Sequence, residues 1–368
     1  MVYLDYSATT PVNDEVLETF NKVTKEYFGN SNSLHKLGSD ADRLINESTK
    51  IICNFLKIKT DELIYTSGAT ESNNLAVKGV IEAYPNRARR IITTKLEHSS
   101  IKKQMETLKK EGYEIEYLHL LEDGTVNLNH LKELLQKDAI LVTISMVDSE
   151  LGIRQPIEEI GKILKNYPKV IFHSDITQAL GKVKFDLTDV DLASFSGHKI
   201  YSFKGIGGLV KKENINLFPQ IEGGKSTTTF RSGTPATSLI ASLAKAFKLI
   251  NYNLDDNLNK MIIDKLKEYD VHINSTIKSI PHIINFSIPN IKSETFIHAL
   301  DEEDIYISSK TACSTNEDMS ESVYEITKDE LLAKRSLRVS LSYLTTKEEV
   351  EKFLNVFDNC YHKLMLLK

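Results

Sequence analysis

In Val170-Ile171-Phe172-His173-Ser174-Asp175 the segment Val170 to His173 reads as a strand, its apolar Val170-Ile171-Phe172 run leading to a carboxylate. Leu192-Ala193-Ser194-Phe195 repeats the pattern and runs into Ser196-Gly197-His198-Lys199. Apolar runs this short read as strands buried on both faces. Working outward, Leu63-Ile64-Tyr65-Thr66, Arg90 to Thr94 and Ile140 to Met146 have the same character. Between them Ala76, Val80 and Ala83 share one helical face, and Ser99 to Glu111 and Ile157 to Leu164 also read as helices. Strands alternating with helices predict an α/β fold with a mainly parallel sheet flanked by helices. A helix around Leu239 to Ile250 leads out of this region, and the remainder mixes helices and strands as a smaller α+β domain. With 368 residues, two structural domains are expected. The large one spans 13–250, and the small one combines 1–12 with 251–368.

Charge and cysteine content narrow the function. Lys and Arg number 46 against 51 Asp and Glu, a net charge of −5, and the basic residues are scattered. A direct nucleic-acid footprint would show a strongly basic face. Cys53, Cys313 and Cys360 match neither a zinc pattern nor a disulfide framework, so no metal site is expected. The start, Met1-Val2-Tyr3-Leu4-Asp5, lacks the basic and apolar blocks of a signal peptide. Ala139 to Val147 is too short to span a bilayer. These features predict a cytoplasmic protein without a membrane anchor.

Polar residues gather where the apolar strands end, which is where open α/β sheets bind ligands. Ser67-Gly68-Ala69-Thr70 stands at a strand-to-helix junction suited to a phosphate, or to an ordinary helix cap. Lys199 is a candidate amine nucleophile, which requires desolvation or a neighbouring cation; the alternative is a surface lysine. Asp175 is costly to bury without a cationic partner, and a protonated pyridine nitrogen is one such partner; the alternative is a helix cap. His98, beside Glu97, can be a general base, a ring that stacks on a flat cofactor, or a structural histidine.

The ordered series of motifs resembles the NifS/IscS class of cysteine desulfurases, within the aminotransferase class V group of pyridoxal-phosphate enzymes. Tyr3 to Pro11, Thr66-Ser67-Gly68-Ala69-Thr70-Glu71-Ser72-Asn73-Asn74, Glu97-His98 and His173 to Gln178 carry it. Ser194 to Lys199, Arg231-Ser232-Gly233-Thr234, Ala312-Cys313 and Leu337 to Leu341 complete the set. The resemblance implies the pyridoxal-phosphate transferase fold type I and conversion of L-cysteine to L-alanine. Lys199 would anchor the cofactor and shuttle a proton, Asp175 would hold the pyridine nitrogen protonated, and Gln178 would lie near the phenolic oxygen. His98 would stack on the ring and take part in proton transfer. Ala69, Thr70, Ser196 and His198 would receive the phosphate, with Thr234 reaching in from the other subunit of a homodimer. Arg338 would grip the substrate carboxylate, with Asn30 and Ser149 near the substrate. Cys313 would take the sulfur as a persulfide and pass it to an acceptor protein, such as an iron–sulfur scaffold or a tRNA-thiolation enzyme.

Several positions depart from the family pattern. Its Asn-Asn-Glu is Asp148-Ser149-Glu150 here, its Gly-Pro after His-Lys-Ile-Tyr is Ser202-Phe203, and its Gly-Gly-Gly-x-Glu becomes Gly223-Gly224-Lys225-Ser226-Thr227. The Gly-Ser before Ala-Cys is Lys310-Thr311. They suggest a specialised paralogue serving one acceptor. The rival readings are a selenocysteine lyase, a cysteine-sulfinate desulfinase, or a weakly active pyridoxal-phosphate-binding paralogue working through a partner.

Overall fold

The computed structural model describes residues 1–224, 226–309 and 319–366. A two-residue strand β1 (Val2–Tyr3) precedes the main sheet, which contains β2 (Leu63–Thr66), β3 (Arg90–Thr93), β4 (Glu114–Tyr117), β5 (Leu141–Thr143), β6 (Ile171–Asp175), β7 (Leu192–Ser196) and β8 (Gly207–Lys211). Their order is β2-β8-β7-β6-β5-β3-β4. The neighbours from β7 across to β4 pair in parallel, whereas β8 runs antiparallel to both β7 and β2. β2, β3, β5, β6, β7 and β8 are buried throughout, because helices cover both faces and leave no side for polar residues. One apolar cluster joins Val142, Phe172 and Phe195 to Ile240 and Phe247, and another joins Ile64, Leu141 and Leu192 to Leu75 and Ile101.

The antiparallel strand β8 has a steric requirement. A Cβ on Gly207 would stand 2.4 Å from the Phe195 carbonyl oxygen and 2.7 Å from Gly68 Cα. Glycine there lets β8 pass directly beneath the Ser67–Gly68 turn, and Gly68 itself takes φ +150, open essentially to glycine alone.

Four further strands follow: β9 (His272–Ile273), β10 (Ile283–Ser287), β11 (Ile305–Tyr306) and β12 (Ser336–Ser340). β10 lies between β9 and β12 in an antiparallel sheet that sets Asn285 opposite Arg338. β1 pairs in parallel with β11, and Asp5 bridges to Ser340. Val2 and Leu4 therefore join an apolar cluster otherwise built from Leu258 to Tyr361. Among the described residues no helix is long and apolar enough to cross a membrane. Nor do three or more His, Cys, Asp or Glu residues form a metal-binding group there.

Candidate active site

The carboxyl ends of β2, β5, β6 and β7, with the turn after β3, open into one cavity. Ser7 and Ala8 close it from the N-terminal segment and Arg338 from β12. Ala69 and Thr70 enter at the start of the helix Ala69–Ala83, His98 from the turn after β3, and Ser149 from the loop after β5. Asp175 and Gln178 follow β6, and Ser196, His198 and Lys199 follow β7. Residues spread over most of the sequence thus meet at one sheet edge.

Lys199 lies in the 3-10 turn Gly197–Lys199, and its Nζ donates to the carbonyls of Ser7 at 2.5 Å and Ala8 at 2.6 Å. Those two carbonyls were not singled out in the sequence; the Tyr3 to Pro11 motif was their only signal. Asp175, the last residue of β6, is 6% exposed. Its Oδ1 accepts from Thr177 N–H at 2.9 Å and its Oδ2 from Asn73 Nδ2 at 2.8 Å. Gln178 donates from Nε2 to the Ser7 carbonyl at 2.9 Å and accepts at Oε1 from Lys182 Nζ at 3.1 Å. Ala69 N–H donates to Ser196 Oγ at 2.7 Å, in place of a side-chain cap from Gly68. His98 caps the helix Ser99–Lys110 through Nδ1, which accepts from Ser100 N–H at 3.2 Å.

Burial shapes the charges here. It holds the His98 imidazole below its ordinary range, with Asp175 opposing and Lys199 and Lys102 adding to the effect. Burial, then the cations of Lys199, Lys204 and Lys182, pulls His198 down to about 4. Lys182 is drawn down to about 7 by burial and by Lys199 and Arg338. Glu97, wholly buried next to His98, is pushed up to about 7 by desolvation despite hydrogen bonds from Thr94 and Ser145.

Arg338 is 1% exposed. Its Nη1 donates to the Ser149 carbonyl at 2.8 Å, and its Nη2 to Asp5 Oδ1 at 2.7 Å and Ser308 Oγ at 2.9 Å. Ser149 therefore contributes a backbone carbonyl to the arginine. Its neighbours Asp148 and Glu150 accept hydrogen bonds from Ser322 and Ser320.

Two expected site residues lie elsewhere. Asn30 is exposed, away from the residues that line the cavity, and its Oδ1 accepts from the Asn32 N–H at 3.0 Å. Thr234 lines a separate cleft with Arg231 and Thr66. Cys313 falls outside the described residues. Cys53 and Cys360 are buried thiols, and desolvation pushes Cys53 up to about 12 and raises Cys360.

The donor set fits a phosphorylated pyridine aldehyde. An amine, a buried carboxylate, an imidazole and a helix N-terminus beside Ser196 converge on one cavity.

The aminotransferase class-V family model matches residues 2–353. The chain belongs to that family, whose members use pyridoxal phosphate, and its fold is the pyridoxal-phosphate transferase fold type I. Within it the chain groups with the cysteine desulfurases of the NifS/IscS class. A NifS/IcsS protein homolog of Lactobacillus delbrueckii subsp. bulgaricus is 38% identical, over 98% of this chain and 97% of that protein. Cysteine desulfurase IscS of Dictyoglomus turgidum is 36% identical, over 99% of this chain and 95% of its own length. The solved structure of a NifS-like protein superposes with a TM-score of 0.92 at 31% identity, covering 98% of this chain and 99% of that one. The structure of SspA in complex with cysteine gives 0.84 at 29% identity, covering 94% and 100%.

Proposed function

We propose that the chain is a cysteine desulfurase that converts L-cysteine to L-alanine and transfers the sulfur through a persulfide on Cys313. The observation that carries this reading is the convergence of Lys199, Asp175, His98 and Arg338 on one cavity, in a chain similar along its length to cysteine desulfurases.

Pyridoxal phosphate, when bound, supplies an electron sink for charge developing on the substrate α-carbon. Lys199 would tether it and would be the base available for the substrate α-proton. Asp175 would hold the ring nitrogen protonated, and Ala69, Thr70, Ser196 and His198 would hold the phosphate. His98 would sit against the ring and handle a proton at its own ring nitrogen. Gln178 would lie near the phenolic oxygen, and Arg338 would orient the substrate carboxylate, with the Ser149 carbonyl bracing the guanidinium. Cys313 Sγ then bonds the substrate sulfur as the substrate Cβ–S bond breaks, leaving alanine and a persulfide; a thiolate is the reactive form.

The finer assignments belong to the same proposal. Residues 13–250 form the cofactor domain, and 1–12 with 251–368 the small domain. The enzyme acts as a cytoplasmic homodimer, with Thr234 serving the partner's phosphate site. Exposed Phe28 and Leu34, on either side of Asn30, support such a contact. The sulfur acceptor is an iron–sulfur scaffold or a tRNA-thiolation enzyme. The test is alanine release from cysteine together with mass spectrometry of the Cys313 peptide. Stoichiometric alanine and an added sulfur, both lost in Cys313→Ala, are expected. Alanine release that survives Cys313→Ala overturns the persulfide route and points to a lyase.

A further inference from the structure

His98, Ser100, Asn73 and Asp175 form a continuous hydrogen-bonded chain whose donors and acceptors follow from chemistry alone. Asp175 Oδ2 lies 2.8 Å from Asn73 Nδ2, and it accepts there, so the Asn73 amide presents its NH2. The same nitrogen lies 2.8 Å from Ser100 Oγ and donates to it, which leaves the Ser100 hydroxyl proton for another acceptor. His98 Nδ1 is 2.8 Å from that oxygen and also accepts from the Ser100 backbone N–H at 3.2 Å. A backbone amide can only donate, so Nδ1 carries the bare lone pair and the imidazole proton is on Nε2. Asn73 is completely buried, and its Oδ1 has no hydrogen-bond partner. Such an orphan is destabilising, and turning the amide over would set its oxygen against the Asp175 carboxylate instead. The arrangement therefore keeps both NH2 protons committed at the expense of stability.

We propose that Asn73 and Ser100 are positioning residues that hold His98 as the neutral, Nε2-protonated tautomer. His98 then presents a hydrogen-bond donor to charge developing in the cavity and does not remove the substrate's protons in its resting form. This rests on the cysteine desulfurase reading and deepens it by fixing which way the first hydrogen bond through His98 points. The charged groups facing the ring are Asp175, Lys199, Lys102 and Glu150. Two bonds donated to Nδ1 favour the neutral ring, so removing one makes protonation easier.

The test is nitrogen NMR of the holoenzyme carrying labelled histidine, with the His98 signals assigned by their loss in His98→Gln. The expected wild-type pattern is a bare Nδ1 and a protonated Nε2 through neutral pH. Ser100→Ala raises the His98 pKa and mixes the tautomers, while Ser100→Thr, which restores the hydroxyl, returns both toward wild type. A protonated Nδ1 in the wild type overturns the proposal, as does a Ser100→Ala protein with unchanged His98 signals. If Ser100→Ala does not fold, the wild-type tautomer and Asn73→Ala decide. A side chain without a donor at 73 cannot commit the Ser100 hydroxyl toward His98, so unchanged His98 signals there also overturn it. Failure of the desulfurase reading looks different: no alanine is released, whatever the state of His98.

Discussion

Arg338 Nη2 stands 2.7 Å from Asp5 Oδ1, so the guanidinium assigned to a substrate carboxylate already holds one of the protein's own. Asp5 follows β1, which is paired with the C-terminal part of the chain, and the contact ties the two ends of the sequence together at the cavity wall. A substrate carboxylate must share or displace this partner. Arg338→Lys keeps a positive charge but loses the planar fork. The expected result is a KM for cysteine raised about 10–100-fold with a smaller change in kcat. Steady-state kinetics checks it; a fall in kcat alone would assign Arg338 a structural role instead.

Asp175→Asn keeps the shape of the side chain and removes its charge. A neutral amide does not hold a cationic ring nitrogen, so kcat should fall by roughly 100-fold or more, about 3 kcal/mol or more in the barrier. The visible absorption of the bound cofactor should shift in the same variant. Unchanged spectra and turnover would remove Asp175 from the ring-nitrogen role.

Asp148 occupies the position where the family carries asparagine, and burial with the neighbouring Glu150 pushes its carboxyl up to about 6. A carboxyl raised above its unfolded value stabilises the fold at low pH. That contribution fades as pH rises from about 4 through about 6. Asp148→Asn retains acceptors for the Glu150 and Leu151 N–H groups and can donate to Ser322 Oγ. It should therefore be more stable than wild type by on the order of 2 kcal/mol at alkaline pH, with the difference vanishing below about pH 4. Denaturant titrations across pH measure this directly.

Gly207→Ala places a Cβ against the Phe195 carbonyl and Gly68. The backbone must shift under the Ser67–Gly68 turn, with an expected loss of roughly 1–3 kcal/mol in stability and weaker cofactor retention. Thermal unfolding and cofactor titration check the two effects separately.

Much of the fold was legible because each central strand is an apolar run sealed on both faces. The helix Ile157–Leu164 and the strand Leu63–Thr66 appear with the bounds read from sequence, and Arg90–Thr93 and Leu192–Ser196 within one residue. Ile140 to Met146 shrinks to the strand Leu141–Thr143, although the Ile144 and Met146 N–H groups still donate to the His173 and Asp175 carbonyls of β6. β4 escaped notice because Glu114–Tyr117 lies at the sheet edge and alternates charge with apolar residues. β8 escaped because it opens with Gly207-Gly208, which weaken a strand pattern.

The site was legible where a motif ends a strand, as at Asp175 and Lys199. Asn73 appeared only as part of a motif, and nothing local distinguishes Ser100. Their significance arises when Asn73 on one helix meets Asp175, 102 positions away, and Ser100 at the start of another. Asn30 matched a segment by order alone, and its Oδ1 accepts from the Asn32 backbone N–H.

The central claim is that Lys199 is the cofactor's anchor. Borohydride reduction of the holoenzyme, followed by digestion and peptide mass spectrometry, tests it. The expected result is the reduced pyridoxyl-phosphate adduct on the Lys199 peptide, and its disappearance in Lys199→Ala. An adduct found instead on the neighbouring Lys182, or an unmodified Lys199 in a yellow, cysteine-consuming enzyme, would contradict it.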